Sequence, residues 1–242
     1  RLVAVIGAGP AGMEAAVTLK QRGFDVVVFD KRDEIGGNLH VAKKPPFKGK
    51  FEWAIDYYKS MAKKLNITMK LGKEVTAQEV LALKPYSILV ATGSNVISIP
   101  LEGLDQVQTV QAHDVLANDM QFANKKVVVI GGGITGLETA LYINRQGTNQ
   151  VSVVDMLPEW PVDMLDMRYQ NEALLEVRHC NDQGVALFYN NKVVKFADGK
   201  LFIESTKDGE VKELPADVIV LSVGVKPNDA LWQELLASGH PS

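Results

Sequence analysis

The sequence contains a single cysteine, Cys180, among its 242 residues. One cysteine cannot form an internal disulfide or a Cys-x-x-Cys redox pair, and it cannot build an all-cysteine metal or iron–sulfur site. No neighbour obviously lowers its pKa, so we expect an inert thiol. No apolar run reaches the roughly 20 residues that span a bilayer, and no signal peptide is visible. We therefore expect a cytoplasmic protein with no membrane partner.

Neither sign of charge is in excess. The chain has 26 Lys and Arg against 29 Asp and Glu, which gives a net charge of −3. Nucleic acids are bound mainly by basic surfaces, so a nucleic acid is not an expected partner. The four histidines are scattered without zinc-like spacing to another ligand, and we expect no metal site. The 46% of hydrophobic residues is instead ordinary for a globular protein with its own core.

The chain contains an internal repeat. Residues 3–30 and 127–155 align at a shift of 124 residues, and one extra loop residue makes the shift 125 at the end of each copy. Each copy has the pattern of a buried strand, a glycine turn, a helix and a second strand. The predicted strands are Leu2–Ile6, Asp25–Phe29, Lys126–Ile130 and Gln150–Val154, and the predicted helices are roughly Pro10–Arg22 and Ile134–Gln146.

Each copy carries a G-x-G-x-x-G turn between its strand and its helix. The first turn is Gly7-Ala-Gly9-Pro-Ala11-Gly12, and the second contains Gly131, Gly133 and Gly136. The first glycine permits the sharp turn, the second lets backbone approach a pyrophosphate, and the third lets the helix pack on the strand. One such motif arises easily by chance, whereas two in matching contexts predict two dinucleotide sites.

An acid ends the second strand of each copy. Asp30 lies 18 residues beyond Gly12, and Asp155 lies 19 residues beyond Gly136. A carboxylate there can accept hydrogen bonds from both ribose hydroxyls of an adenosine, and it would repel a 2′-phosphate. No Arg or Lys follows in residues 156–159, so the second site is predicted to prefer NAD over NADP. Two such sites point to FAD and a nicotinamide, with hydride passing from the nicotinamide to the flavin.

The remaining segments complete the predicted α/β architecture. We expect a helix over Lys50–Leu65, buried strands at Ser87–Ala91 and Ala216–Ser222, and a small antiparallel meander from Val185 to Leu214. Boundaries near residues 105 and 225 give two Rossmann-like domains. The first comprises residues 1–105 and 226–242, and the second, residues 106–225, is inserted into it.

Four stretches carry a resemblance to a known family. They are Asp30–Leu39, Lys44–Phe47, Asp155–Glu159 with Val162–Met164, and Val220–Asn228. The sequence resembles the two-dinucleotide-domain flavoproteins, whose fold is like that of glutathione reductase. More narrowly, it is similar to the C-terminal region of modular old yellow enzyme relatives, which include 2-enoate reductase, 2,4-dienoyl-CoA reductase and trimethylamine dehydrogenase.

The resemblance implies which residues contact the two cofactors. For FAD in the first domain it implies Gly7, Gly9, Ala11, Gly12, Asp30, Lys31, Gly37, Asn38, Leu39, Val75, Ala91, Thr92 and Gly93. For NADH in the second domain it implies Gly131, Gly133, Thr135, Glu138 and Asp155, with Glu138 near the nicotinamide. No side chain is expected to act as an acid or base in hydride transfer.

The chain also departs from its full-length relatives. Those begin with a barrel that carries FMN and an iron–sulfur cluster, and they have a later Gly-Asp motif that binds the flavin. This chain begins at Arg1, one residue before its first predicted strand, and it stops at Ser242, about where the strand with the later Gly-Asp motif should start. We therefore expect a fragment, an electron-input module that passes electrons from NADH to FAD and on to FMN and iron–sulfur centres in a missing barrel domain.

A second interpretation stays open. In trimethylamine dehydrogenase-like relatives the first site holds only ADP and passes no electrons. This chain would then be a non-catalytic nucleotide-binding module. The sequence does not show whether an isoalloxazine ring has room, but the intact second turn and Asp155 favour the interpretation with FAD.

Overall fold

The structure is a computed structural model, and it describes residues 1–158 and 167–238. The chain divides into two compact units. The first contains residues 1–43, 47–95 and the stretch after residue 225, and the second contains residues 44–46 and the stretch from 96 to 225. The predicted domain boundaries stay predictions, and the family stretch Val162–Met164 lies outside the described residues.

The strands and helices alternate along much of the chain. The strands are β1 (Leu2–Ile6), β2 (Asp25–Phe29), β3 (Thr68–Lys70), β4 (Ser87–Val90), β5 (Ser94–Val96), β6 (Gln108–Gln111), β7 (Lys126–Ile130), β8 (Gln150–Val154), β9 (Ala186–Phe188), β10 (Asn191–Ala197), β11 (Lys200–Ser205), β12 (Val211–Pro215), β13 (Val218–Leu221) and β14 (Val225–Pro227). The helices are α1 (Pro10–Gln21), α2 (Leu39–Ala42), α3 (Phe51–Lys64), α4 (Ala77–Ala82), α5 (Ala112–Ala117), α6 (Ile134–Asn144), α7 (Met167–Asp182) and α8 (Ala230–Ala237). The four strands of the repeat have their predicted bounds, and its two helices end one and two residues before their predicted ends.

The first unit is built on a parallel sheet in the order β3-β2-β1-β4. β1 is central, and Val3 pairs with Val26 of β2 on one side and with Ser87 of β4 on the other. Its residues alternate between two apolar clusters. Val3 and Val5 pack with α1 and α3, whereas Ala4 and Ile6 pack with α4 and α8. A strand covered on both faces in this way has the continuous apolar sequence seen in β1.

The second unit is built on a parallel sheet in the order β6-β13-β7-β8-β9. Its central strand β7 repeats the alternation of β1. Val127 and Val129 pack with α5, α6 and α7, and Val128 and Ile130 pack with residues of β10 and β11. The predicted α/β fold with parallel sheets and a small antiparallel sheet is therefore confirmed.

The antiparallel sheet begins later than predicted. Strands β10, β11 and β12 pair antiparallel in that order, with turns at the predicted Asp198-Gly199 and Asp208-Gly209. The prediction that the meander starts at Val185 is wrong, because β9 pairs parallel with β8 and extends the other sheet. A three-residue strand carries too little pattern to show which sheet it joins.

Gly136→Ala should destabilise the second unit far more than Gly133→Ala. An ideal Cβ at Gly136 would lie 1.9 Å from the carbonyl oxygen of Gly131, so helix α6 would have to move away from β7. At Gly133, where φ is −67°, an ideal Cβ would meet no atom within 4 Å. In urea denaturation we expect Gly136→Ala to lower the free energy of unfolding by about 2 kcal/mol or more, and Gly133→Ala by less than about 0.5 kcal/mol. Equal losses would contradict the close packing.

Candidate functional site

The first glycine of each turn is required by the protein itself. Gly7 follows β1 with a φ of +110°, and Gly131 follows β7 with a φ of +108°. An ideal Cβ would lie 2.2 Å from the carbonyl oxygen of Ala91 in the first turn and 2.2 Å from that of Ser222 in the second. The backbone conformation and the close neighbour both exclude a side chain.

The second glycine of each turn has no such constraint. Gly9 and Gly133 are the N-cap residues of α1 and α6, with φ values of −73° and −67° that any residue can adopt. An ideal Cβ at Gly133 would meet no atom within 4 Å, and one at Gly9 would meet only the Cα of Gly37, at 3.9 Å. The fold could accommodate a side chain at either position. The space is therefore open to a ligand.

A pyrophosphate fits this open space. Helix N-termini are normally capped by a Ser, Thr, Asp or Asn side chain, which binds one of the free N–H groups of the first turn. Gly9 and Gly133 have no side chain with which to do so. The open space at Gly9 and the open space at Gly133 are called the two cradles below. At each cradle a helix, of 12 or 11 residues, presents uncapped N–H groups and the positive end of its dipole.

Asp30, at the end of β2, holds the first glycine turn in place. One carboxylate oxygen accepts a hydrogen bond from the N–H of Ala8 at 2.6 Å, and the other accepts one from the N–H of Arg32 at 2.8 Å. A carboxylate has about four lone-pair positions, so the side chain can still accept from ribose hydroxyls. The sequence indicated only the ribose contact, because spacing does not show which backbone N–H groups face a carboxylate.

Asp155 makes the same contacts in the second unit. Its carboxylate accepts hydrogen bonds from the N–H of Gly132 at 2.6 Å and from the N–H of Leu157 at 2.8 Å. The side chains that follow it, Met156 and Leu157, are 61% and 62% exposed. Beside the carboxylate there is thus an exposed apolar surface, and residues 156–158 offer no cation to a 2′-phosphate.

Tyr189 also restricts the second turn, and no sequence pattern pointed to this residue. An ideal Cβ at Gly132 would lie 3.0 Å from the ring carbon Cε1 of Tyr189 and 3.2 Å from the Cβ of Asp155. The matching position in the first turn is Ala8, which is fully buried. Tyr189 immediately follows β9, the strand whose pairing was predicted wrongly. Its contact explains why the second turn has a glycine where the first has alanine.

The predicted Gly37, Asn38 and Leu39 lie beside the first turn. Gly37 has a φ of +51°, and an ideal Cβ there would lie 2.7 Å from the Cα of Gly9. Asn38 is exposed, and the half-buried Leu39 begins α2. This segment therefore forms one wall of the cradle at the start of α1.

Other predicted residues of the first unit lie in the surrounding surface. Ala11 is exposed in the first turn of α1. Lys31 is also exposed, with its Nζ 3.9 Å from a carboxylate oxygen of Glu74. The half-buried Val75 packs against the apolar cluster that contains α4 and α8. Their predicted contacts with a cofactor stay predictions.

The predicted residues Ala91, Thr92 and Gly93 directly follow β4, and two of them bind Asn228 near the end of the chain. The hydroxyl of Thr92 donates a hydrogen bond to the carbonyl oxygen of Asn228 at 2.6 Å, and the N–H of Asn228 donates to the carbonyl oxygen of Gly93 at 2.9 Å. The first of these bonds joins residues 136 positions apart in the sequence. Both bonds fix the end of β4, whose next residue, Ala91, closely contacts Gly7.

The last two predicted residues lie on α6. Thr135 is exposed in the first turn, where its carbonyl oxygen accepts a hydrogen bond from the hydroxyl of Thr139 at 2.7 Å. Glu138 is half-buried one turn further along the helix. Both residues therefore lie on the helix that the open cradle at Gly133 begins.

Among residues 1–158 and 167–238, no group of three or more His, Cys, Asp and Glu side chains is placed to hold a metal ion. No helix within these ranges is long and apolar enough to cross a membrane. Cys180 is fully buried on α7, with its Sγ 3.9 Å from the carbonyl oxygen of Leu137. Burial, together with the negative charge of Glu176, raises the pKa of this thiol to about 12.

Known proteins that resemble this chain are oxidoreductases. Bilirubin reductase from Mediterraneibacter gnavus is 35% identical over 226 residues, which cover 93% of this chain and 34% of the relative. NADH oxidase from Thermoanaerobacter brockii is 37% identical over 233 residues, which cover 93% of this chain and 34% of that relative. The solved structure of 2-naphthoyl-CoA reductase in complex with 2-naphthoyl-CoA has a TM-score of 0.84 at 30% identity. The match covers 96% of this chain and 34% of the reductase chain. The chain thus spans about a third of the length of these relatives.

Parallel sheets with glycine turns of this kind are typical of dinucleotide-binding proteins. The chain belongs to the pyridine nucleotide-disulphide oxidoreductase family, which matches residues 1–239. Members of this family bind FAD and NAD(P). The predicted resemblance to the C-terminal region of modular old yellow enzyme relatives is confirmed, since each of these larger proteins is matched over about a third of its length.

Cys180 should resist alkylation in the folded protein, because its thiol stays protonated up to a pH near 12. In the unfolded chain the thiol ionises near pH 9.0, so the free energy of unfolding should fall as pH rises above about 9. We expect iodoacetamide at pH 8.5 to label Cys180 only after denaturant is added, as measured by mass spectrometry. The Cys180→Ala variant should lose this part of the alkaline destabilisation. Rapid labelling of Cys180 in the native chain would contradict the raised pKa of this thiol.

Proposed function

We propose that this chain is the electron-input module of an NADH-dependent flavin oxidoreductase. FAD is bound by the first domain and NADH by the second. One observation carries the proposal: the two glycine turns have the same uncapped helix start, the same open N-cap glycine and the same braced carboxylate. A chain that binds two dinucleotides needs two such cradles, and the family supplies the identity of the cofactors.

We assign the NADH domain to residues 106–225, inserted into an FAD domain formed by residues 1–105 and 226–242. The bonds between Thr92 and Asn228 support this assignment. They bind the stretch after residue 225 to the residues that follow β4. This contact supports placing that stretch in the first domain.

In the FAD domain, the N–H groups at the start of α1 neutralise phosphate charge, and Asp30 accepts hydrogen bonds from the adenosine ribose. In the NADH domain, α6 and Asp155 have the same tasks, and Asp155 excludes a 2′-phosphate. Hydride transfer from reduced nicotinamide to the flavin ring is the chemistry that the two cofactors supply when bound. The residues of this chain bind and orient the nucleotides, and no side chain has to move a proton.

The onward acceptor lies outside the residues of this chain. Cys180 alone cannot form the redox disulfide to which the family name refers, and one cysteine cannot hold an iron–sulfur cluster. We therefore assign the next electron carriers, FMN and an iron–sulfur cluster, to a barrel domain of the parent enzyme, as in the family that the sequence resembles. NADH oxidase and 2-naphthoyl-CoA reductase, each about three times as long as the matched region, support this assignment.

Reconstitution tests the proposed function directly. The purified chain is incubated with FAD and, in a parallel sample, with ADP. Each sample is freed of unbound nucleotide by gel filtration, and the FAD sample is titrated anaerobically with NADH. We expect flavin absorption bands to remain with the protein and to bleach when NADH is added. A chain that retains ADP but no FAD would overturn the electron-input function in favour of a nucleotide-binding structural module. Retained FAD that NADH leaves unbleached would overturn the NADH step.

A matched pair of variants tests which domain binds which nucleotide. Asn retains one oxygen that can accept the turn N–H, so Asp155→Asn changes the ribose contact with less damage to the turn than a charge reversal would cause. We expect Asp155→Asn to raise the Kd for NADH by about 10- to 100-fold. The ratio of the Kd for NADPH to the Kd for NADH should therefore decrease. Asp30→Asn should weaken FAD binding to a similar degree and leave the Kd for NADH unchanged, as measured by calorimetry. An effect of Asp30→Asn on NADH affinity would contradict the assignment.

A further inference from the structure

His40 lies on α2, in the segment next to the first glycine turn. Its ring nitrogen Nε2 is 2.8 Å from the carbonyl oxygen of Ile35. A carbonyl oxygen only accepts, so Nε2 carries the hydrogen of this bond. The side chain is only 20% exposed, and Ile35 is buried. The bond is therefore shielded from most competition by water.

The histidine ring also fixes the next residue. Gly36 has a φ of +120°, and an ideal Cβ there would lie 2.7 Å from Nε2 of His40. On the backbone side, the N–H of Gly36 donates a hydrogen bond to the carbonyl oxygen of Ala8 at 2.8 Å. Gly36 is thus held between the histidine ring and the glycine turn.

The same segment reaches the open cradle through Gly37. An ideal Cβ at Gly37 would lie 2.7 Å from the Cα of Gly9, so the two backbones are in direct contact. Gly9 is the N-cap residue of α1, where we place the pyrophosphate. A series of contacts therefore runs from the ring of His40 through Gly36 and Gly37 to the cradle.

We propose that His40 is a positioning residue of the first nucleotide site, and that it holds the turn Ile35–Gly37 against Gly9 before the nucleotide binds. The ligand chemistry is a nucleoside diphosphate, which FAD and ADP share. This inference rests on the proposed function, because it assumes that the first domain binds a dinucleotide or its ADP portion. His40 makes no contact with the ligand. It lowers the ordering cost of binding by keeping one wall of the cradle in its bound position.

Three variants separate the hydrogen bond from other effects of the ring. His40→Leu replaces the ring with an apolar side chain of similar bulk and removes the Nε2–H donor. His40→Gln restores a donor that can reach the position of Nε2. His113→Leu is the matched control, because His113 is also partly exposed and lies in the other unit, where its ring contacts the adjacent Asp114.

Hydrogen exchange of the Gly36 amide measures the positioning without any cofactor. We expect His40→Leu to speed exchange of this amide by about tenfold, since the turn would open more often. His40→Gln and His113→Leu should exchange at close to the wild-type rate. Unchanged protection in His40→Leu would overturn the proposal.

Calorimetric titration with FAD and, separately, with ADP then tests the effect on binding. We expect His40→Leu to raise both Kd values by about tenfold and His40→Gln to stay within about threefold of wild type. Equal losses in His40→Leu and His40→Gln would show that the donor is irrelevant and would overturn the role of His40. If the wild-type chain binds ADP but not FAD, the flavin part of the proposed function fails, and the ADP affinities of the variants still decide the role of His40.

Discussion

Both candidate sites depend on a carboxylate that binds the backbone of a glycine turn. Asp30 and Asp155 each immediately follow a strand, and each accepts a hydrogen bond from the N–H of the residue after the first turn glycine. A hydrogen bond to a charged acceptor is roughly twice as strong as a neutral one, so it ties the strand end firmly to the turn. The same carboxylate remains available to a ribose. One side chain therefore shapes the cradle and, in our account, recognises the nucleotide that lies in it.

Two different reasons account for the glycines in the two turns. Gly7 and Gly12 are imposed by the fold, since an ideal Cβ would lie 2.2 Å from one carbonyl oxygen and 1.8 Å from another. Gly9 and Gly133 are not imposed by it, because the surrounding protein leaves room for a side chain. A chain that had only to fold could have used a capping Ser or Asp there. This difference separates the part of the motif that packs from the part that is open to a ligand.

The repeat made the parallel sheets predictable, because buried β-branched runs and glycine punctuation are local signals. Leu2–Ile6 and Gln150–Val154 have their predicted bounds for that reason. The partner of β9 was predicted wrongly, since pairing is decided by the neighbours of a three-residue strand and not by its own pattern. The bond between Thr92 and Asn228 and the contact of Tyr189 with Gly132 were missed because they join residues far apart in sequence.

The central claim is that one chain binds two different dinucleotides, one in each unit. Native mass spectrometry after incubation with FAD and NADH counts them directly. The account predicts one FAD and one NADH per chain, with FAD alone lost in Gly9→Ala and NADH alone lost in Gly133→Ala. A single bound nucleotide in the wild-type chain, or loss of both nucleotides from either variant, would contradict it.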